Sequence, residues 1–327
     1  MGPSGAGKST LLDLLADRKL DGNWSGDILV NQYPRTEWFN RDSAYVLQND
    51  ILIGFLTVSD TIRYSARTRL PEGTSDVDIE NRVDRLLTLM GLVGVKDSLV
   101  GDTLNKGISG GQCKRLSIAI EIVNLPLLIF LDEPTTGLDS SMALEVMQVV
   151  KKLTQESRTC ISTIHQPSPD VFDLFDLVTV LVNGRVIYFG PGGDLTSYFT
   201  GNVLQYDLEK GKPIVEFVMD ICGGAEIPRN MEEPRSEDEL MHTYEKSKYP
   251  ALCSPHERLG LNAPLTTHLR KHATNRVTEI KMLLHRSYTV QMADKGFAKR
   301  SIIRNLIIAG VSAFLYAGRG NLKPPLY

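Results

Sequence analysis

This 327-residue chain has only four cysteines, Cys113, Cys160, Cys222 and Cys253, and no two of them stand as a C-x-x-C pair. That scatter excludes a disulfide framework and a cysteine zinc site, so free thiols are expected. Positive charge is not in surplus either. The formal net charge is −3, so no bulk basic field draws the chain to nucleic acid. No apolar run reaches the roughly twenty residues needed to cross a bilayer. The nearest approach is Leu306 to Ala317, twelve apolar or small residues. His268 and His272 have the i,i+4 spacing of a helical metal pair, but Leu269-Arg270-Lys271 between them supplies no glutamate. A solvated basic helix is the simpler reading of that segment than a zinc site.

What the chain does have begins at once. Gly2-Pro3-Ser4-Gly5-Ala6-Gly7-Lys8-Ser9, followed by Thr10, is a full match to the phosphate-binding pattern G-x-x-x-x-G-K-[ST]. Its glycines let backbone N–H groups turn inward around phosphate oxygens. Lys8 brings a positive charge to the β- and γ-phosphates, and Ser9 a hydroxyl to Mg²⁺. Much later an apolar strand, Leu127 to Leu131, ends on Asp132 and Glu133. Open α/β sheets hold their ligands at the C-terminal ends of their strands. Asp132 is therefore the expected partner of the Mg²⁺, and Glu133 is left to orient an attacking water. Between the two, Ser109-Gly110-Gly111-Gln112 opens a further helix 23 residues before Asp132. Its N–H groups form a second anion-ready terminus. No secretory leader is visible ahead of the phosphate loop, so the sequon Asn23-Trp24-Ser25 reads as chance.

Taken together, these stretches resemble the nucleotide-binding domain of ATP-binding cassette (ABC) transporters. Ser109 to Gln112 looks like the family signature, Asp132-Glu133 like the Walker B acids, and Gly137-Leu138-Asp139 like the D-loop. Gln48 in AYVLQND looks like the Q-loop glutamine, and His165 in STIHQPS like the switch histidine. Phe55 to Pro71, Ser162 to Asp176 and Val182 to Gly190 narrow the likeness to the G subfamily of White-type half transporters. The resemblance implies ATP and Mg²⁺, with Glu133, His165 and Gln48 as catalytic residues and Ser9, Gln48 and Asp132 around the metal. It implies a head-to-tail dimer, homo- or heteromeric, in which each signature closes on its partner's ATP, and a membrane domain exporting a lipophilic substrate. Cys113 departs from the subfamily, which places a basic residue there; Lys114 and Arg115 follow it. A P-loop follows a strand, and only Met1 precedes this one. The expectation is a chain lacking its first strands and the adenine-stacking aromatic, with weakened affinity for ATP on its own.

The expected fold is α/β, a P-loop NTPase core of the ABC ATPase type with a helical signature subdomain, over residues 1–224. A polar linker follows at 225–269, then an amphipathic connecting helix at 270–300 and the start of a transmembrane helix at 301–327. Helices are expected over Lys8 to Arg18, from Thr57 to about Arg67, Asp76 to Leu92, Gln112 to Val123 and Asp139 to Ser157. Strands are expected over Gly26 to Val30, Ser43 to Gln48 and Thr159 to Ile164, with a hairpin turning at Asn183-Gly184. Short helices over Asp194 to Phe199 and Pro213 to Cys222 would close the domain. Between Arg270 and Arg304 stand nine Lys/Arg against two acids, with Val277, Ile280, Leu284 and Tyr288 as an apolar stripe. Basic flanks mark the cytoplasmic side of a first span. Two other readings remain open. A soluble ABC ATPase acting on DNA or ribosomes usually carries two cassettes or a coiled-coil insertion, and neither is present. A non-catalytic fragment is the second.

Overall fold

The computed structural model describes residues 1–19, 21–31, 33–35, 39–102, 106–201, 204–229, 231–252, 274–293 and 296–317. His268, His272 and Cys253 lie outside them. Helix α1 (Lys8–Leu15) leaves the phosphate loop, and a two-residue ladder, β1 (Leu29–Val30) with β2 (Tyr33–Pro34), follows. Next come α2 (Phe39–Asp42), β3 (Ser43–Val46), α3 (Val58–Arg69), α4 (Asp76–Leu89), α5 (Gly110–Glu121), β4 (Leu128–Leu131), α6 (Ser140–Gln155) and β5 (Thr159–Ser162). After α7 (Pro169–Phe172) the hairpin β6 (Leu177–Val182) and β7 (Arg185–Pro191) leads to α8 (Leu195–Thr200) and α9 (Ile214–Cys222). The rest of the described chain is helical: α10 (Glu237–Glu245), α11 (Tyr249–Leu252), α12 (Arg276–Ala293) and α13 (Phe297–Ala317).

The sheet that organises the molecule is β3-β4-β5, all parallel, with Val46, Leu131 and Ser162 in register at one end. Parallel strands are covered on both faces and so read as apolar runs. Here Tyr45 and Phe130 pack with Leu12 of α1 and its capping residue Ala16 on one face. Ile129 and Leu131 pack with Leu116, Ile118, Val146 and Met147 of α5 and α6 on the other. The helical layer is built on side-chain caps. Thr57 accepts from the Asp60 N–H at 3.1 Å to start α3, and Ser75 accepts from the Asp78 N–H at 3.1 Å to start α4. Val58, Ile62 and Ala66 of α3 and Ile79, Val83 and Leu86 of α4 then join the main core.

A second core lies under the hairpin, where Val180, Ile187, Tyr188, Phe199, Phe217 and Val218 meet Leu240 and Tyr249. The hairpin turns at Asn183 (φ 44°) and Gly184 (φ 79°), as Asn-Gly between strands requires.

Helices and strands run shorter than their apolar periodicity. Asp17 (φ 59°) ends α1 before Arg18, and Ser157 (φ 62°) lies beyond the end of α6. The expected strand Gly26 to Val30 is reduced to Leu29–Val30, because only those residues find a partner strand. Helices α10 and α11 form within the stretch read as a linker, α10 under a complete capping box between Ser236 and Glu239. The apolar stripe of α12 is on the surface, Val277, Ile280, Leu284 and Tyr288 being exposed. Helix α13 is 21 residues long, but among the described residues no helix is long and apolar enough to cross a membrane.

Candidate functional site

The loop from Gly2 to Gly7 is held by its own lysine. Lys8 is buried, and its Nζ donates to the carbonyl oxygens of Gly2 at 2.9 Å and Pro3 at 3.0 Å. Gly7 enters α1 at φ 92°, a left-handed conformation that a glycine adopts without penalty. From below, the loop rests on the hairpin: Leu181 N–H donates to Met1 O, and Gly184 N–H donates to Ala6 O, both at 2.9 Å. A Cβ on Gly2 would lie 2.2 Å from Leu181 O, so glycine is required there by space. Ser4, Gly5 and Thr10 are exposed, whereas Ala6 is buried.

Three other segments converge on this loop. Asp132 and Glu133 follow β4 directly, and Asp132 N–H donates to Val46 O at 3.0 Å, fixing both strand exits side by side. Ser9 Oγ donates to Asp132 Oδ1 at 2.8 Å. Gln48, two residues past β3, donates from Nε2 to Glu133 Oε2 at 2.9 Å. His165, three residues past β5, has Nε2 3.2 Å from Ser4 Oγ, and its Nδ1 is buried without a hydrogen-bond partner. Glu133 sits at φ 43°, an unusual angle for a side-chain-bearing residue, and backbone strain of this kind gathers at functional sites. Thus Ser4, Ser9, Gln48, Asp132, Glu133 and His165 come together.

The signature turn is built separately. Ser109 Oγ accepts from Gln112 N–H at 3.3 Å, and Gln112 Oε1 accepts from Ser109 N–H at 2.9 Å. Gly111 lies against Met142 and Gly110 against Leu138, so the turn rests on Leu138 and the first turn of α6. Ser109 and Gly110 themselves are exposed.

Two hydroxyls bind these acids where no sequence pattern pointed. Thr163 Oγ1 donates to Asp132 Oδ1 at 2.6 Å and accepts from Glu133 N–H at 2.9 Å. Thr136 Oγ1 donates to Glu133 Oε2 at 3.0 Å. Thr163 stands just past β5, two residues before His165, and no spacing rule marks its hydroxyl.

A magnesium ion fits the donor set. Ser9 hydroxyl, Asp132 carboxylate and Gln48 side-chain amide are oxygen donors of the hard type Mg²⁺ prefers, and Ser9 and Asp132 are already in contact. Among the described residues there is no cluster of three His, Cys, Asp or Glu side chains that would hold a metal through protein ligands alone.

Comparison with known proteins agrees with the geometry. Residues 1–136 match the family described as ABC transporter. The broad substrate specificity ATP-binding cassette transporter ABCG2 of Bos taurus is 40% identical over 248 residues, covering 76% of this chain and 38% of that protein. ABC transporter G family member 13 of Arabidopsis thaliana is 48% identical over 201 residues, 61% of this chain and 29% of its own length. ABC transporter G family member 6 of Dictyostelium discoideum is 36% identical over 333 residues, 97% of this chain and 21% of that one. The chain thus spans well under half the length of these relatives.

Proposed function

This chain carries a nucleotide-binding domain of the ABC transporter family, of the G-subfamily kind, and on that premise we propose that it binds and hydrolyses ATP to drive export across a membrane. The observation that carries the reading is the convergence of four separated segments through Ser9–Asp132, Gln48–Glu133 and Ser4–His165. No structural need of a small α/β core brings an amide, two acids, a hydroxyl and an imidazole to one rim.

In this reading the loop from Gly2 to Thr10, through the backbone N–H groups of its residues other than Pro3, and the Lys8 ammonium bind the phosphates. Lys8 exchanges the Gly2 and Pro3 carbonyls for phosphate oxygens. Ser9, Asp132 and Gln48 would hold Mg²⁺, which when bound neutralises charge on the β- and γ-phosphates. Glu133 accepts a hydrogen bond from the attacking water and aims it at phosphorus, with Gln48 and Thr136 fixing the carboxylate. His165 contacts the γ-phosphate through Nε2. Rate enhancement comes mainly from positioning and charge neutralisation. The Ser109–Gln112 turn of a second half transporter, identical or not, closes over the same nucleotide. Closure and reopening move the membrane domains that carry a lipophilic cargo such as a lipid, sterol or xenobiotic.

Glu133→Gln keeps the shape and the contact with Gln48 but loses the carboxylate that orients water. We expect ATP binding within about twofold of the unaltered protein and turnover reduced by about 10²-fold or more, in line with the loss of a group acting only in the transition state. Nucleotide binding and phosphate release measured on the dimeric protein check this. Undiminished phosphate release would remove Glu133 from its role.

A further inference from the structure

Lys114 stands five residues past Ser109 on α5 and is only 2% exposed. A buried ammonium is costly unless each of its three donors finds an acceptor. Nζ donates to Leu47 O at 3.3 Å and to Gln48 O at 2.8 Å, and the Asp50 carboxylate, with Oδ1 2.8 Å away, supplies the opposite charge. The acceptors all belong to the short segment that leaves β3, while the lysine belongs to the helix that the signature turn begins. One side chain therefore pins the signature helix to the backbone of Gln48, and Gln48 reaches Glu133.

We infer that Lys114 is a positioning residue for ATP hydrolysis: it fixes the 47–50 segment so that the Gln48 amide holds Glu133, and it passes any displacement of the Ser109 turn to that acid. This rests on the ATPase reading above. A compact ammonium with three diverging donors suits two carbonyls and a carboxylate; a planar guanidinium does not. The connection also gives closure of a partner on the Ser109 turn a direct mechanical route to the water-orienting carboxylate. Sub-ångström changes along it suffice, because misplacing a catalytic group by about 1 Å can cost about 10²-fold in rate.

The test is a double-mutant cycle on the full chain in its dimer, with Lys114→Met, Gln48→Ala and the two combined. Lys114→Met is expected to lower kcat for ATP by between about 10- and 100-fold while leaving KM within about twofold. The combination should be no slower than Gln48→Ala alone, since Lys114 acts through Gln48. Losses that multiply would assign Lys114 a merely structural part and overturn the inference. Because Lys114→Met strips Asp50 of its cation, Asp50→Asn/Lys114→Met, which removes both charges, is measured beside it, with melting temperature as the control for folding. Hydrogen exchange supplies a readout that needs no turnover. Peptides spanning 47–50 should exchange faster in both variants while β4 and α6 keep their protection. Unchanged exchange there sinks the clamp whatever the enzyme does, whereas an unaltered protein that hydrolyses no ATP sinks the ATPase reading alone.

Discussion

Burial pushes the Cys160 thiol up to about 11 and the Cys222 thiol up to about 12, and it raises Cys113 as well, where the Asp50 carboxylate adds to the effect. The thiolate is the reactive form, so these cysteines should alkylate slowly at neutral pH in the folded chain. The folded state holds the Cys160 proton at pH values where the unfolded chain, with an ordinary thiol near 9.0, releases it. Its contribution to stability is therefore full below that ordinary value and is lost as pH climbs toward about 11. Denaturation midpoints followed across this alkaline range should fall more steeply in the natural chain than in Cys160→Ala. Equal slopes would show the thiol indifferent to folding. The placement of single side chains was legible in the sequence only where a spacing rule existed. Lys8, Ser9, Asp132 and Glu133 belong to patterns whose chemistry dictates their residue types. Thr163 and Lys114 belong to none: their partners are 30 to 31 and 64 to 67 positions away, and only the register of β3, β4 and β5 and the packing of α5 on that sheet bring them near.

Helix α10 illustrates the same division for a whole element. Its stretch is acidic and proline-flanked, which suggests a solvated linker, yet Ser236 and Glu239 cap each other's backbone at 3.3 and 3.0 Å. Once formed, the helix buries Leu240 and is tied to the hairpin, Asn183 donating to Glu237 and Arg185 pairing with Asp238. The turn so gripped is the one whose Gly184 N–H supports the phosphate loop. Replacing Ser236 by Ala removes one capping acceptor and is expected to cost about 1 kcal/mol. Hydrogen exchange should quicken from Glu237 to Glu245 and in the 183–185 turn, with β3 to β5 unaffected; protection unchanged in α10 would show that the cap contributes nothing. The capping box could be read as S-x-x-E, but a cap alone does not make a helix without apolar surface to pack against, and the hairpin that supplies it lies some fifty residues earlier. Strand ends were misjudged for a related reason. Apolar character continues past Val46 and Ser162, but the paired register ends there, with single N–H bonds from Asp132 to Val46 O and from Thr163 to Leu131 O as the last rungs.

The molecule as a whole leaves its signature turn open. Ser109 and Gly110 are exposed beside Leu138, whereas the phosphate loop rests on the β6–β7 hairpin. In the reading proposed above, a second chain supplies the missing wall, because one γ-phosphate is not enclosed by both turns of a single body. In that reading the interface forms around nucleotide: N–H groups at the start of α5 gain their anion only when ATP lies in the partner's loop. Association should therefore depend on bound triphosphate and be reversed by hydrolysis. Glu133→Gln, which holds ATP without consuming it, is expected to double the particle mass from 36.3 kDa on addition of ATP and Mg²⁺. Lys8→Ala, which loses the phosphate contacts, should stay at the lower mass under the same conditions. Light scattering on both variants reads this directly. The exposed apolar residues Ile280, Leu284 and Tyr288 on α12 offer a nucleotide-independent way to associate, which ATP titration separates from the first. A doubled mass that ignores ATP, or that survives Lys8→Ala, would place the contact on α12 and leave the signature turn without its proposed role.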